Sequence, residues 1–257
     1  MVAVDSECLD HLSAVISDGA GISKEILARH QEYLRESLFI ISCSGYKASG
    51  GSDPNWNHVL HHEDQCQFPE FSHSRLIIAQ AISQDGSRVR YAPLDNRDVE
   101  RARNLNAHVL ESRTLPAIRR YTGKLYAKLS CRVVYGLATG RITNLLIISA
   151  LHGPTSPLDL IPNYDLTMKD SIDQELLKWR WPAIIQRASL ANLARFVQRH
   201  QRCFAPVGLE YKQTANVIAA QVGVPFFPVD LKNFGGSSRA GGLLNQVFSA
   251  ELEAPDV

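Results

Sequence analysis

Residues Leu145–Met168, LLIISALHGPTSPLDLIPNYDLTM, decide the fold class. The apolar run LLIIS predicts a buried strand, and the residues after it change at once to Gly, Pro, His, Asp and Tyr, the composition of a loop. A strand that leaves the core into a polar loop is where α/β proteins gather their chemistry. Ser149 closes the strand, and Pro154, Pro157 and Pro162 restrict φ and stiffen the loop. Within it His152 and Asp159 suit general acid/base work, and Tyr164 suits a hydrogen bond to developing charge. Asp159 has a plainer use as a cap on the backbone of Leu160 and Ile161.

Upstream, LFIISCSG at 38–45 reads as another buried strand that turns at Gly45. ISCSGYKASGG at 41–51 sets Ser42, Cys43, Ser44 and Lys47 just past it. Hydroxyls and free N–H groups in such a turn suit an anion, and Lys47 adds positive charge. The spacing is not GxxxxGK[ST], so this is no P-loop, and no rule supplies a base for a Cys43 or Ser44 nucleophile. In YTGKLYAKL, 121–129, a helix would put Lys124 and Lys128 on one face. With Tyr121 and Tyr126 they suit stacking on a base and neutralising phosphate; tyrosines at a core edge with solvated lysines is the plain alternative. HVLHHED at 58–64 brings His58, His62 and Asp64 close, without HExxH or a third ligand, so these read as exposed histidines and no metal is expected.

The remaining pattern alternates helix and strand signals. Residues 7–37 read as two short helices, 46–71 as a long polar loop, 74–83 as a strand, and 98–120 as a helix that Pro116 bends or restarts. Residues 169–201 predict two helices split near Pro182, whose Arg180, Arg187, Arg195, Arg199 and His200 either edge a groove or keep the surface soluble. A strand at 224–231, a glycine-rich turn at 234–242 and a short apolar helix close the chain. The fold class is α/β, a single mixed-sheet domain with surrounding helices and a cleft over 38–250, preceded by a helical extension, 1–37, and followed by a tail, 251–257.

Composition narrows the function classes. At 257 residues the chain can bury an enzyme-sized core. With 27 Lys plus Arg against 26 Asp plus Glu, the charge of +1 gives no global attraction to nucleic acid, so such a role needs a local basic groove. No run reaches the roughly 18 to 20 apolar residues of a membrane span, and MVAVDSECLD lacks signal-peptide regions, which predicts a soluble, cytoplasmic chain with no membrane partner. Cys8, Cys43, Cys66, Cys131 and Cys203 form no CxxC pair, which argues against structural zinc or a disulfide framework, and no cofactor is expected.

YTGKLYAKL followed by the Leu145–Met168 stretch resembles the signature of the YaaA peroxide-stress family, whose segments run "NGxxYxGL" and then "LSGLYGxLxPLDLIxPYRLEM". ISCSGYKA, 41–48, is similar to that family's "ISPAK" strand end; PVGLEYKQTANVI, 206–218, and GSSRAGGLLNQ, 236–246, match later segments more weakly. The resemblance implies a mixed α/β domain with a cleft, a DNA-binding fold, and a part in limiting damage from hydrogen peroxide and iron. The cleft residues it implies are Lys47, Gly123, Tyr126, Ser149, Gly153, Pro157, Asp159 and Tyr164, with Lys212 and Arg239. Three positions depart from the pattern: His152 replaces Tyr, Ser156 replaces Arg and Asp165 replaces Arg. Losing positive charge there weakens phosphate neutralisation. Two ligands are expected on these grounds: double-stranded DNA in a groove with Lys47, Lys124, Lys128 and Arg239, or a nucleotide-like or purine-like metabolite on which Lys47, His152, Asp159 and Tyr164 act. In either case Ser42, Ser44, Tyr126 and Ser149 would line the ligand.

Overall fold

The computed structural model describes residues 30–52, 54–62, 66–84, 88–94, 97–230 and 236–253. The extension expected over 1–37 therefore lies mostly outside the described residues. Its last part forms helix α1 (Gln31–Arg35), which packs on the first strand.

The two continuous apolar runs become the centre of the sheet. SLFIIS forms β1 (Ser37–Ser42) and LLIIS forms β2 (Leu145–Ser149), with β2 buried throughout and β1 buried except at Ser42. Parallel strands covered on both faces need this unalternated pattern. β3 (Gly153–Thr155) turns back antiparallel beside β2, while β4 (Arg202–Val207) and β5 (Phe226–Asp230) extend the sheet on the other side. The order is β5-β4-β1-β2-β3, a mixed sheet.

Ten helices accompany it among the described residues: after α1 come α2 (Trp56–His61), α3 (Ser72–Gln84), α4 (Val99–Ala107), α5 (Ala117–Arg120) and α6 (Cys131–Ala138). They are followed by α7 (Leu177–Arg187), α8 (Ala191–Val197), α9 (Leu209–Val222) and α10 (Ser237–Glu253). Antiparallel pairing of Leu115–Pro116 with Leu160–Ile161 ties the loop after β3 to the start of α5.

Several expectations change. Residues 74–83 lie in α3, because Arg75, Ile78, Ala79 and Ile82 are buried at helical rather than alternating spacing. The loop expected at 46–71 contains α2, whose Asn55 caps the His58 N–H, and a 3-10 turn at Pro69–Phe71. Residues 98–120 break after α4, and Pro116 stands at the start of the separate α5. Pro182 does not split α7; as its sixth residue it forfeits a single early bond, and the break comes between Arg187 and Ala191. Residues 231–235, the last residue of the expected strand and the start of the expected glycine-rich turn included, lie outside the described residues, and α10 begins at Ser237 and carries on into the expected tail. Gly241 lies within that helix because a Cβ there would strike the Leu125 carbonyl. No described helix is long and apolar enough to cross a membrane.

Candidate functional site

The connection leaving β1 runs to β2 on one side of it, while the connection leaving β4 runs to β5 on the other. Adjacent strands whose connections part in this way open a crevice at their carboxyl ends, the preferred ligand position in open α/β sheets. Cys43 Sγ from the end of β1 meets Tyr211 Oη from the first turn of α9 across that crevice, at 3.4 Å.

Lys47 enters it from the turn after β1. The Tyr46 N–H donates to Ser44 Oγ, which tightens the turn, and Lys47 pairs with Tyr121 as an antiparallel bridge. Bonds from the Ala48 N–H to the Arg120 carbonyl and from the Thr122 N–H to the Tyr46 carbonyl flank that bridge. Gly123 is required here, since a Cβ would collide with the Ser44 side chain. Lys47 Nζ donates to the Ser44 carbonyl at 2.9 Å and sits 4.0 Å from the centroid of the Tyr164 ring. Burial brings its ammonium down from 10.5 to about 8; Cys43 and Asp165 oppose the fall, and Arg97 and Arg120 add to it. An amine in this range holds its proton near neutrality and releases it at slightly higher pH.

Hydroxyl groups surround the amine. Tyr164 Oη lies 2.7 Å from Ser149 Oγ and 2.9 Å from Tyr121 Oη, and Tyr126 Oη donates to the Ser42 carbonyl at 2.8 Å. Burial pushes the Tyr121, Tyr126, Tyr164 and Tyr211 phenols above their ordinary range, so all keep their protons near neutrality. His152 is buried between Trp56, 4.8 Å away between ring centroids, and Tyr164, 6.0 Å away. Burial, then the charges of Arg75 and Lys47, holds it well below the usual imidazole range, so it stands neutral rather than as the titrating acid its type suggests. Neither His152 Nε2 nor Trp56 Nε1 has a hydrogen-bond partner among the described residues.

Asp159 is held apart from this group. Its Oδ1 accepts the Gln67 N–H and its Oδ2 the Ser156 N–H, both at 2.8 Å. Burial raises its carboxyl, with the Arg75 charge and these N–H groups opposing. It pins the loop as a backbone staple, and among the described residues no hydrogen bond joins it to the His152 side chain.

Lys124 and Lys128 share no helix. A 3-10 turn, Tyr126–Lys128, lies between Gly123 and α6, and both lysines are exposed on it and its approach. Arg239 opens α10, which packs on that turn; its Nη2 is buried without a partner among the described residues. The structure thus gathers Ser42, Ser44, Lys47, Tyr126, Ser149, His152 and Tyr164 around one enclosed centre; Lys124 and Lys128 form an exposed ledge beside it, and Arg239 is partly buried in the helix packed on that ledge.

Sequence reasoning passed over two buried arginines that build this centre. Arg120 donates to the carbonyls of Ala48 at 2.6 Å, Gly50 at 2.9 Å and Arg113 at 2.8 Å, and more weakly to that of Ile161. Burial brings it down to about 10. Arg75 donates to the carbonyls of His152 and Pro154 and so shapes the turn after β2. Asp165 is paired with Arg97 at 3.0 Å, and Arg97 also binds the fully buried Asp170.

Of the arginines expected near a groove, Arg180 is engaged by Glu175, while Arg187, Arg195 and Arg199 are exposed. His200 is buried, and burial holds it down to about 4. His58 and His62 stack at 4.0 Å between centroids on the exposed side of α2; Asp64 lies outside the described residues. No group of three His, Cys, Asp or Glu suited to a metal occurs among the described residues.

The fold and this centre define an α/β protein with a ligand crevice at the carboxyl edge of a mixed sheet. Residues 38–199 match the sequence model of the family described as Peroxide stress protein YaaA, and the chain belongs to that family. A search of curated proteins finds no match.

Proposed function

We propose that this chain serves the response to peroxide by binding DNA along its basic ledge and receiving a nucleotide unit at the Lys47 centre. The observation that carries the reading is the rim of the centre. Tyr46 is 70% exposed, and its backbone is bonded to Thr122, on the approach to the exposed Lys124 and Lys128. An exposed ring among lysines suits a base stacked beside neutralised phosphates.

Fluorescence anisotropy with labelled duplex DNA at two salt concentrations tests this. Replacing Lys124 and Lys128 together by Ala removes two phosphate contacts and lowers the slope of log K against log salt by about 2. Unchanged affinity and slope would remove the ledge from the interface.

A second reading, an enzyme acting on a free nucleotide-like metabolite, is favoured by the Lys47 amine at about 8. Its signature is turnover that rises as pH passes that value and disappears in Lys47→Met, with no need of DNA.

A further inference from the structure

The hydroxyl chain beside Lys47 has a fixed direction. Ser149 Oγ accepts the Leu151 N–H at 3.2 Å and the His152 N–H at 3.0 Å. A hydroxyl oxygen has two acceptor sites and one proton, so Ser149 meets Tyr164 as a donor, at 2.7 Å. Tyr164 therefore gives its own proton to Tyr121, at 2.9 Å. Tyr121 receives that bond; the neighbouring Ser149 hydroxyl has both acceptor positions taken by the Leu151 and His152 N–H groups, so among the described residues the Tyr121 O–H finds no hydrogen-bond acceptor. Tyr121 is 2% exposed, and its ring centroid is 5.8 Å from Lys47 Nζ, so the spare donor belongs to the enclosed centre and not to bulk solvent. Buried donors are rarely left open.

We infer that the Lys47 centre holds its ligand through an anionic oxygen, to which Tyr121 donates at the end of the Ser149–Tyr164–Tyr121 chain. The ligand class is a compound with an acidic hydroxyl, or with a carbonyl next to an acidic N–H or C–H. The lactam edge of a nucleobase belongs to it. The protons balance on either side of the Lys47 titration: below about pH 8, where Lys47 is an ammonium, the ligand's proton leaves to solvent, and above it the neutral amine takes that proton; in both cases the electron pair stays on the ligand oxygen and Tyr121 donates without releasing its own proton. No oxidant or further reactant is needed. The aligned donors act as an oxyanion hole does, since Tyr164 polarises the Tyr121 O–H before the ligand arrives. Burial keeps both phenols protonated and available as donors. The inference rests on the Lys47 centre being a ligand site; it does not require the ledge to bind DNA.

The probe is 4-nitrophenol, whose phenolate is yellow. Titrated below the free phenol's own pKa, the wild-type protein is expected to bind it as phenolate and lower its apparent pKa. Tyr121→Phe removes one charge-assisted hydrogen bond and should weaken phenolate binding roughly 10- to 100-fold. Ser149→Ala, which removes the group that sets the chain's direction but keeps the Tyr121 hydroxyl, should weaken it by a smaller factor. The exposed Tyr135→Phe serves as control. A merely structural Tyr121 would alter the melting temperature and leave the bound phenol's apparent pKa unchanged. Absence of phenolate binding to the wild type, or Tyr121→Phe within about twofold of it, overturns the inference. Duplex titrations on the same proteins keep the readings separate: phenolate capture without DNA binding sinks only the DNA reading, and the reverse sinks only this one.

Discussion

Lys47 makes a pH-dependent contribution to stability whose sign can be worked out. Its amine stands at about 8 in the folded protein against an ordinary 10.5, because burial penalises the charged form. Between those values the unfolded chain binds more protons than the folded one, so stability rises with pH across the window. The contribution is fully realised above 10.5 and is lost progressively as pH falls toward 8. At about 1.4 kcal/mol per pH unit, the gap corresponds to about 3 kcal/mol. Other groups titrate in the same range, so the informative quantity is a difference. Urea unfolding of wild type and Lys47→Met, measured at steps from about pH 8 to 10.5, should give a stability difference that moves by about 3 kcal/mol in favour of the wild type as pH rises. Lys47→Met also loses the bond to the Ser44 carbonyl and the contact with Tyr164, but those losses shift the whole curve and not its slope. A flat difference would mean that the ammonium is not enclosed, and the base assignment would fall with it.

Two further substitutions probe the frame around the centre. Arg120→Met keeps the side chain's bulk but strands the carbonyls of Ala48, Gly50 and Arg113, at about 1 to 3 kcal/mol each, offset in part by no longer burying a charge. A net loss of roughly 3 kcal/mol should appear as a lower urea midpoint with unchanged slope, and a loss under about 1 kcal/mol would show that the cation does not hold the 46–51 turn. Gly153 has φ +65, and a Cβ there would drive into the Trp181 ring. Gly153→Ala should therefore cost about 2 to 4 kcal/mol and perturb the Trp181 N–H bond to the Ala150 carbonyl, read by melting and by tryptophan emission; a wild-type melt would contradict the close packing.

The central strands were legible because a doubly covered parallel strand leaves an unbroken apolar run, as in SLFIIS and LLIIS. The same feature misled at 74–83, where Leu76, Ile77 and Ile78 imitate such a run, although Arg75, Ile78, Ala79 and Ile82 share one helical face. Lys47, Ser149 and Tyr164 were legible as candidates because they follow strand ends. The places of Tyr121 and Tyr211 were not, for Tyr121 reaches Lys47 and Tyr211 reaches Cys43 through sheet order, which no local pattern records. Buried arginines escaped for a related reason. Arg120 and Arg119 look alike in the chain, and only the carbonyls that converge on Arg120 make its burial tolerable.

Those carbonyls also explain how the centre remains cationic despite the acidic substitution at its edge. Asp165, standing where the family pattern has Arg, looks from sequence like a loss of two charges at the ligand. In the fold its carboxylate is engaged by Arg97, which is shared with Asp170, so the added negative charge meets a positive one supplied from another segment. Arg120 is different: among the described residues its hydrogen bonds go to carbonyl oxygens alone, which solvate the guanidinium without cancelling its charge. Lys47 therefore faces an uncompensated cation on one side and a half-neutralised carboxylate on the other. That arrangement helps to hold the amine below its ordinary range, with burial as the larger cause. The charge lost from the loop is thus recovered in the walls, close enough to Lys47 to lower its amine.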